Sequence, residues 1–115
     1  MQTHHIALKV LDLKKCEDFY SKVLGLKVIA RHKRPDGLER SIWFDLDGTI
    51  LMLELAEETA GWELVALKID CASRKKWKDK LKAADVKIND ESQHSIYFVD
   101  PENNRLSLSH FPDVP

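Results

Sequence analysis

The chain has 115 residues, of which 43% are hydrophobic, a size that allows one domain with an apolar core and excludes two independent domains. Its 18 basic and 19 acidic residues give a formal net charge of -1, so no overall field attracts it to nucleic acid or to an anionic membrane. We therefore expect a small-molecule partner, with no nucleic-acid and no membrane binding.

The cysteines and the N-terminal residues indicate a cellular compartment. Cys16 and Cys71 are the only cysteines, and the absence of a Cys-x-x-Cys motif is typical of a reduced protein rather than a disulfide scaffold. Residues 1–5 lack the basic and then apolar pattern of a signal peptide, and no apolar run approaches the roughly 20 residues of a membrane span. These features favour the cytoplasm.

The first half of the sequence predicts a strand, a helix and three further strands. Residues 6–10 form a β-type run, after which the hydrophobic period changes to about 3.6. Asp12 can cap the resulting helix, and Gly25 can end it in the left-handed conformation. The three strands that follow are predicted at residues 26–30, 41–45 and 49–55, separated by a polar stretch at 31–34 with a turn at 35–37 and by a turn at 47–48.

The second half has the same order of elements. Residues 57–61 are polar or small, as in a linker, and residues 64–69 predict a strand. Ser73 can cap a helix whose apolar face carries Trp77, Leu81 and Ala84, with Arg74 and several lysines on its solvent face. Strands are then predicted at residues 86–88, 95–99 and 106–108.

Four sequence matches indicate an internal repeat. They pair residues 7–10 with 66–69, 27–28 with 87–88, 42–44 with 96–98, and 53–55 with 106–108. One such sheet would leave a face uncovered, so two modules should pack together. We predict an α+β fold of two βαβββ modules within a single domain 1–115, with curled mixed sheets around a cavity and helices outside. Module one spans 3–56, the linker 57–62 and module two 63–110.

Several segments resemble the signature of one superfamily. They are HIALKV at residues 5–10, FYSKVLGL at 19–26, YFVDP at 97–101 and NRL at 104–106. These segments look like the vicinal oxygen chelate superfamily, the group of glyoxalases, fosfomycin- and bleomycin-resistance proteins and extradiol dioxygenases. The resemblance covers nearly the whole chain and implies the fold of that superfamily and a homodimer.

The resemblance also implies a metal site, with one ligand from the first strand and one from the last strand of each module. His5 occupies the first-strand position and Glu54 the last-strand position of module one. The equivalent positions of module two hold Leu64 and Ser107, so half of the usual ligand set is missing. A conventional glyoxalase I is therefore disfavoured.

Glu54 needs a partner on physical grounds as well, because it interrupts the apolar run at residues 50–55 and a buried carboxylate is costly unless it is paired. Strand alternation places Glu54 and Met52 on the face away from the helix, so both should point into the cavity. Beside His5, Glu54 would form half of a site for Fe, Mn, Ni or Zn. The alternative is a hydrogen bond to His5 or a salt bridge to Arg40, without a metal.

The other four histidines are further candidates for metal ligands. His94 or His110 could complete the metal site, although both are expected at the surface. His4 should face away from His5, because neighbours in a strand point to opposite sides. His32 lies among loop charges, where solvation is expected.

Aromatic and hydroxyl side chains are the candidates for ligand binding. Trp43 is predicted either in the core or in the cavity wall, while Trp77 is predicted in the core. Together with Met52 and Ser107, Trp43 forms the predicted substrate-binding set. Ser107 would serve as a weak ligand or as an orienting hydroxyl.

Two functions remain open at this stage. The first is a metal-dependent lyase or isomerase, transferase or dioxygenase, in which a metal on His5 and Glu54 holds two neighbouring oxygens of the substrate, with Glu54 as the catalytic residue. The second is a metal-free protein that binds and sequesters a small molecule, like the bleomycin-resistance members. The loss of the ligands in module two favours the second function.

Overall fold

The computed structural model describes residues 2–59 and 61–115, and within them eight strands and two α-helices follow the predicted order. The first set comprises β1 (His5–Val10), α1 (Leu13–Asp18), β2 (Val28–Lys33), β3 (Glu39–Asp45) and β4 (Ile50–Leu55). The second set comprises β5 (Val65–Lys68), α2 (Arg74–Ala83), β6 (Asp90–Glu91), β7 (Ser95–Val99) and β8 (Arg105–Ser109). The strands form two four-stranded sheets, ordered β1-β4-β3-β2 and β5-β8-β7-β6. Each sheet has one parallel pair and two antiparallel pairs, which confirms the α+β fold of two βαβββ modules.

The chain divides into two compact units, of which unit 1 ends at Gly61 and unit 2 begins at Trp62. The division falls inside the predicted linker, residues 57–62, of which Ala60 lies outside the described residues. The module boundaries at residues 3–56 and 63–110 remain predictions.

The helix of unit 1 begins as predicted but ends differently. The Asp12 carboxylate accepts a hydrogen bond from the Lys15 amide at 3.0 Å, and Gly25 has a φ of 75°. After Asp18, however, the chain continues as a π-helix, Phe19–Val23, instead of an α-helix. In an α-helix the Glu17 carbonyl would accept a hydrogen bond from the Ser21 amide. Here it accepts one from the Ser21 hydroxyl at 2.8 Å. The helix widens into a π-helix at this turn.

The core of unit 1 lies between α1 and one face of its sheet. Leu8 and Val10 of β1 and Leu51 and Leu53 of β4 are all buried, as strand alternation requires for the face that a helix covers. The opposite face of the same strands carries side chains that stay partly or fully exposed, namely His5, Ala7, Lys9, Ile50, Met52 and Glu54. Any binding site on this sheet must therefore lie on the face that α1 leaves exposed.

Unit 2 departs from two sequence predictions. Ala84 is exposed and Trp77 is half-buried under the Lys80 ammonium, 4.9 Å from its ring centroid, so Leu81 is the buried residue of α2. The strand predicted at residues 86–88 is not formed. Asp85 takes a φ of 59°, and the Val86 amide still bonds to the Leu81 carbonyl of the helix. Strand pairing therefore begins later, at β6, which pairs with β7.

The strand ladders also correct the alignment of the two repeats. Ala7 pairs with Met52 in unit 1, and the matching Ala66 pairs with Ser107 in unit 2. The antiparallel ladders agree, because Ile42 pairs with Leu53 and Ile96 with Leu108. Ser107 therefore corresponds to Met52 and not to Glu54, whose counterpart is Ser109. The predicted match of residues 53–55 with 106–108 was displaced by two residues.

Candidate functional site

The exposed face of the unit 1 sheet contains a small pocket. Its volume is about 190 Å³, and its lining residues are His4, His5, Trp43, Ile50 and Met52. The strand registers explain the grouping, because Trp43 pairs with Met52 and His5 with Ile50 across neighbouring strands. Apart from the two imidazoles, the wall consists of an indole, a thioether and a branched alkyl side chain.

The two imidazoles at this pocket contact each other. Nδ1 of His4 lies 3.0 Å from Nδ1 of His5, and the rings meet edge to face with centroids 5.2 Å apart. His4 was expected to face away from His5, but it precedes β1, so strand alternation does not fix its direction. In this contact one Nδ1 must donate and the other must accept.

Trp43 also contacts a histidine of the neighbouring strand. The centroids of the His32 and Trp43 rings are 4.8 Å apart, and the planes are tilted by 57°. Nε2 of His32 and Nε1 of Trp43 are both buried and have no hydrogen-bond partner among the described residues. His32 was expected in a solvated loop, but β2 extends through the polar stretch to Lys33 and half-buries it.

Glu54 lies on the same face of β4 as Met52, two residues further along. It is half-buried, and its carboxylate forms no hydrogen bond or ion pair with any described residue. Neither the hydrogen bond to His5 nor the salt bridge to Arg40 is formed. Lys9 is its direct neighbour across the parallel ladder, so a positive charge lies on the adjacent strand without contacting it.

Comparison with known proteins identifies the family. A model of the Glyoxalase/Bleomycin resistance protein/Dioxygenase superfamily matches residues 2–108. The chain belongs to this superfamily.

Solved structures of the superfamily fold agree with this assignment. One similar structure is an integron cassette protein from the mobile metagenome of the Halifax Harbour sewage outfall, with a TM-score of 0.82, 17% identity, and 96% and 98% of the two chains covered. A lactoylglutathione lyase from Agrobacterium tumefaciens has a TM-score of 0.79, 21% identity and coverage of 96% and 93%. A mutant fosfomycin resistance protein, FosX, from Listeria monocytogenes, complexed with Mn(II) and 1S,2S-dihydroxypropylphosphonic acid, has a TM-score of 0.81, 22% identity and coverage of 95% and 91%. At these identities the similarity shows the fold alone.

A metal held in the way that the superfamily resemblance implies does not fit the side chains of this chain. His5 pairs with Ile50 and Lys9 with Glu54, so the two predicted ligands are four residues apart along the strands. At about 3.3 Å per residue their backbones are about 13 Å apart, so both side chains would have to extend towards each other to share an ion, and together they supply only two of the about three protein ligands of a catalytic metal site. No group of three or more His, Cys, Asp or Glu side chains suited to a metal occurs among residues 2–59 and 61–115.

The predicted site residues outside unit 1 have structural partners instead. Ser107 is buried in β8 between Ala66 and Tyr97. His110 was expected at the surface, yet only 2% of it is exposed. Its Nε2 accepts a hydrogen bond from Arg74 at 2.9 Å, and its Nδ1 donates to the Asp113 carbonyl at 2.7 Å. Both ring nitrogens are therefore occupied.

Arg74 was predicted on the solvent face of α2 and instead anchors this helix. Its guanidinium also donates to Glu91 and to the Ser92 carbonyl. A wider cavity of about 460 Å³ lies beside it, with Lys75 and Lys78 in its wall. Both lysines pair with acidic groups, Asp79 and Glu91 respectively, so this cavity offers no unpaired positive charge to a ligand.

In the part of the chain that is described, no helix has the length and apolar character to span a membrane.

Proposed function

We propose that this protein is a metal-free member of the superfamily that binds a small, mostly apolar molecule in the pocket of unit 1. The observation that carries the proposal is the composition of the pocket wall, in which Trp43, Ile50 and Met52 converge on an open sheet face. Transfer of an apolar ligand from water to such a wall is favourable. A metal-dependent enzyme is disfavoured, because module two lacks its ligand residues and no metal-binding group of three or more side chains occurs among the described residues.

The volume of the pocket limits the size of its ligand. Pockets for drug-sized molecules usually have about 300–1,000 Å³, and this pocket has about 190 Å³. An apolar cavity of about 150 Å³ is sufficient for benzene. We therefore propose a ligand the size of one substituted ring.

Binding of a single-ring probe tests this proposal. Acetophenone should shift the NMR signals of the Met52 methyl group and the Trp43 ring in a saturable way. Met52→Glu should weaken binding at least about tenfold, because it places a carboxylate in an apolar wall. Ile29→Glu is the matched control, since Ile29 is exposed and lies outside the pocket lining. Shifts that do not saturate, or that survive in Met52→Glu, would contradict the proposal.

The assembly and location of the protein are further proposals. We propose a homodimer in the cytoplasm, as the resemblance to the superfamily implies. The near-neutral net charge of -1 supports a small molecule rather than nucleic acid as the partner.

A further inference from the structure

We infer that the ligand carries an oxygen acceptor, and that the indole N–H of Trp43, whose ring contacts that of His32, selects it. This inference rests on the proposed function, because it assigns the polar end of the same pocket. It adds His32 to the residues that determine specificity.

The indole N–H of Trp43 is the first part of the argument. It can only donate, and it is buried without an acceptor among the residues that the structure describes. A buried donor that lacks a partner destabilises the state that contains it, so a ligand that supplies an acceptor removes this penalty on binding. Trp62 shows the usual outcome in this chain, since its Nε1 donates to the Arg105 carbonyl at 2.8 Å.

His32 is the second part of the argument. It pairs with Ser41 across the β2–β3 ladder, two residues away from the Ala30–Trp43 pair and therefore on the same face of the ladder. Its ring therefore contacts the indole diagonally, and its Nε2 is likewise buried with no partner in residues 2–59 and 61–115. An imidazole nitrogen either donates or accepts, and His32 contacts the pocket only through the Trp43 ring, so its part in the inference is to position the indole.

The pocket wall and the indole N–H define the chemical class of the ligand. The pocket wall requires an apolar ring, and the indole N–H requires an oxygen at one edge of that ring. A ring bearing a carbonyl group has both features. The indole forms part of the pocket wall and its Nε1 is buried, so the proposed bond requires a rotation of this side chain that turns Nε1 towards the carbonyl oxygen.

A matched pair of probes tests the inference. Acetophenone has a carbonyl group, and ethylbenzene has the same ring and nearly the same shape without it. We expect acetophenone to bind about three- to tenfold more tightly, as for one neutral hydrogen bond that satisfies a buried donor. The Nε1–H signal of Trp43 should move downfield with acetophenone alone, while that of Trp62, already hydrogen-bonded, should not move.

Two variants assign the preference to these residues. Trp43→Phe keeps an aromatic wall and removes the donor, so the affinity ratio of the two probes should fall to about one. His32→Leu should reduce the ratio, and Trp77→Phe, in α2, should leave it unchanged. Equal affinities in the wild type, or a ratio unchanged by Trp43→Phe, would overturn the inference and leave the binding function intact. If neither probe binds in a saturable way, both the inference and the proposed binding function are overturned.

Discussion

Glu17 is the residue that ties the helix of unit 1 to its sheet. Only 8% of it is exposed, and its two carboxylate oxygens accept from Arg31 of β2 at 2.6 and 3.0 Å. Arg31 also pairs with Glu39 of β3 at 3.2 Å. The hydrogen bond from Arg31 holds the pKa of Glu17 below its usual range, against the opposing effect of burial.

This shift predicts how the stability of the protein depends on pH. Because the pKa of Glu17 is lower in the folded state than in the unfolded state, the pair stabilises the fold above the unfolded pKa of about 4.3. The contribution is lost as the pH falls through the folded pKa. Glu17→Gln should therefore lower the free energy of unfolding at pH 7 by about 1–2 kcal/mol, a modest value because the Arg31 side chain is 41% exposed.

Urea unfolding at pH 7 and at about pH 3 measures this effect. The difference between wild type and Glu17→Gln should shrink at the lower pH. Glu58→Gln, at an exposed position, is the control and should have little effect at either pH. A difference that is equal at both pH values would show that the ion pair does not stabilise the fold.

At the scale of single residues, sequence reasoning failed where the partner is distant. Arg74 and His110 are 36 residues apart, and no local pattern in the sequence links them. His32 was misplaced because polarity alone suggested a loop, whereas the backbone of β3 supplies the hydrogen bonds that keep residues 31–33 in a strand.

At the scale of elements, the alternation of β4 separates the core from the face that carries the pocket. Leu53 is fully buried, while its neighbour in the chain, Met52, points to the other face and is half-buried. Leu53→Ala should lower the free energy of unfolding by about 2–5 kcal/mol through lost burial and an added cavity. Met52→Ala should cost less than about 1.5 kcal/mol, since its side chain lines an open pocket.

Urea unfolding of both variants checks this prediction, provided that the dependence on urea concentration is the same for each. A cost for Met52→Ala equal to that for Leu53→Ala would mean that Met52 belongs to the core. The pocket would then not be an open binding site.

The order of elements could be predicted from hydrophobic period and turn residues, but the register of β4 could not. Because leucines stand at positions 51, 53 and 55, the Leu-Ser-Leu segment at residues 106–108 can be aligned equally well with residues 51–53 or with residues 53–55. Only the hydrogen-bonded ladders with β1 and β3 select one of them. The two-residue error moved Ser107 from the counterpart of Met52 to that of Glu54, and this is why Ser107 was assigned to the last-strand ligand position of module two.

At the scale of the whole molecule, the sequence was sufficient for the superfamily and the fold but not for the chemistry. The match over residues 2–108 establishes ancestry, while one fold supports many functions. The separation of His5 from Glu54 depends on strand pairing between distant segments, and no motif records it. Function in this chain must therefore be argued from the pocket.

The dependence of ligand binding on metal tests the central claim most directly. The dissociation constant of acetophenone should be measured by NMR titration after chelator treatment, and again with Mn(II), Ni(II), Zn(II) or Fe(II) added. We predict the same value within about twofold in every case, with the shifts confined to the pocket of Trp43 and Met52. Binding that appears only with a metal, and that Glu54→Ala abolishes, would contradict the account.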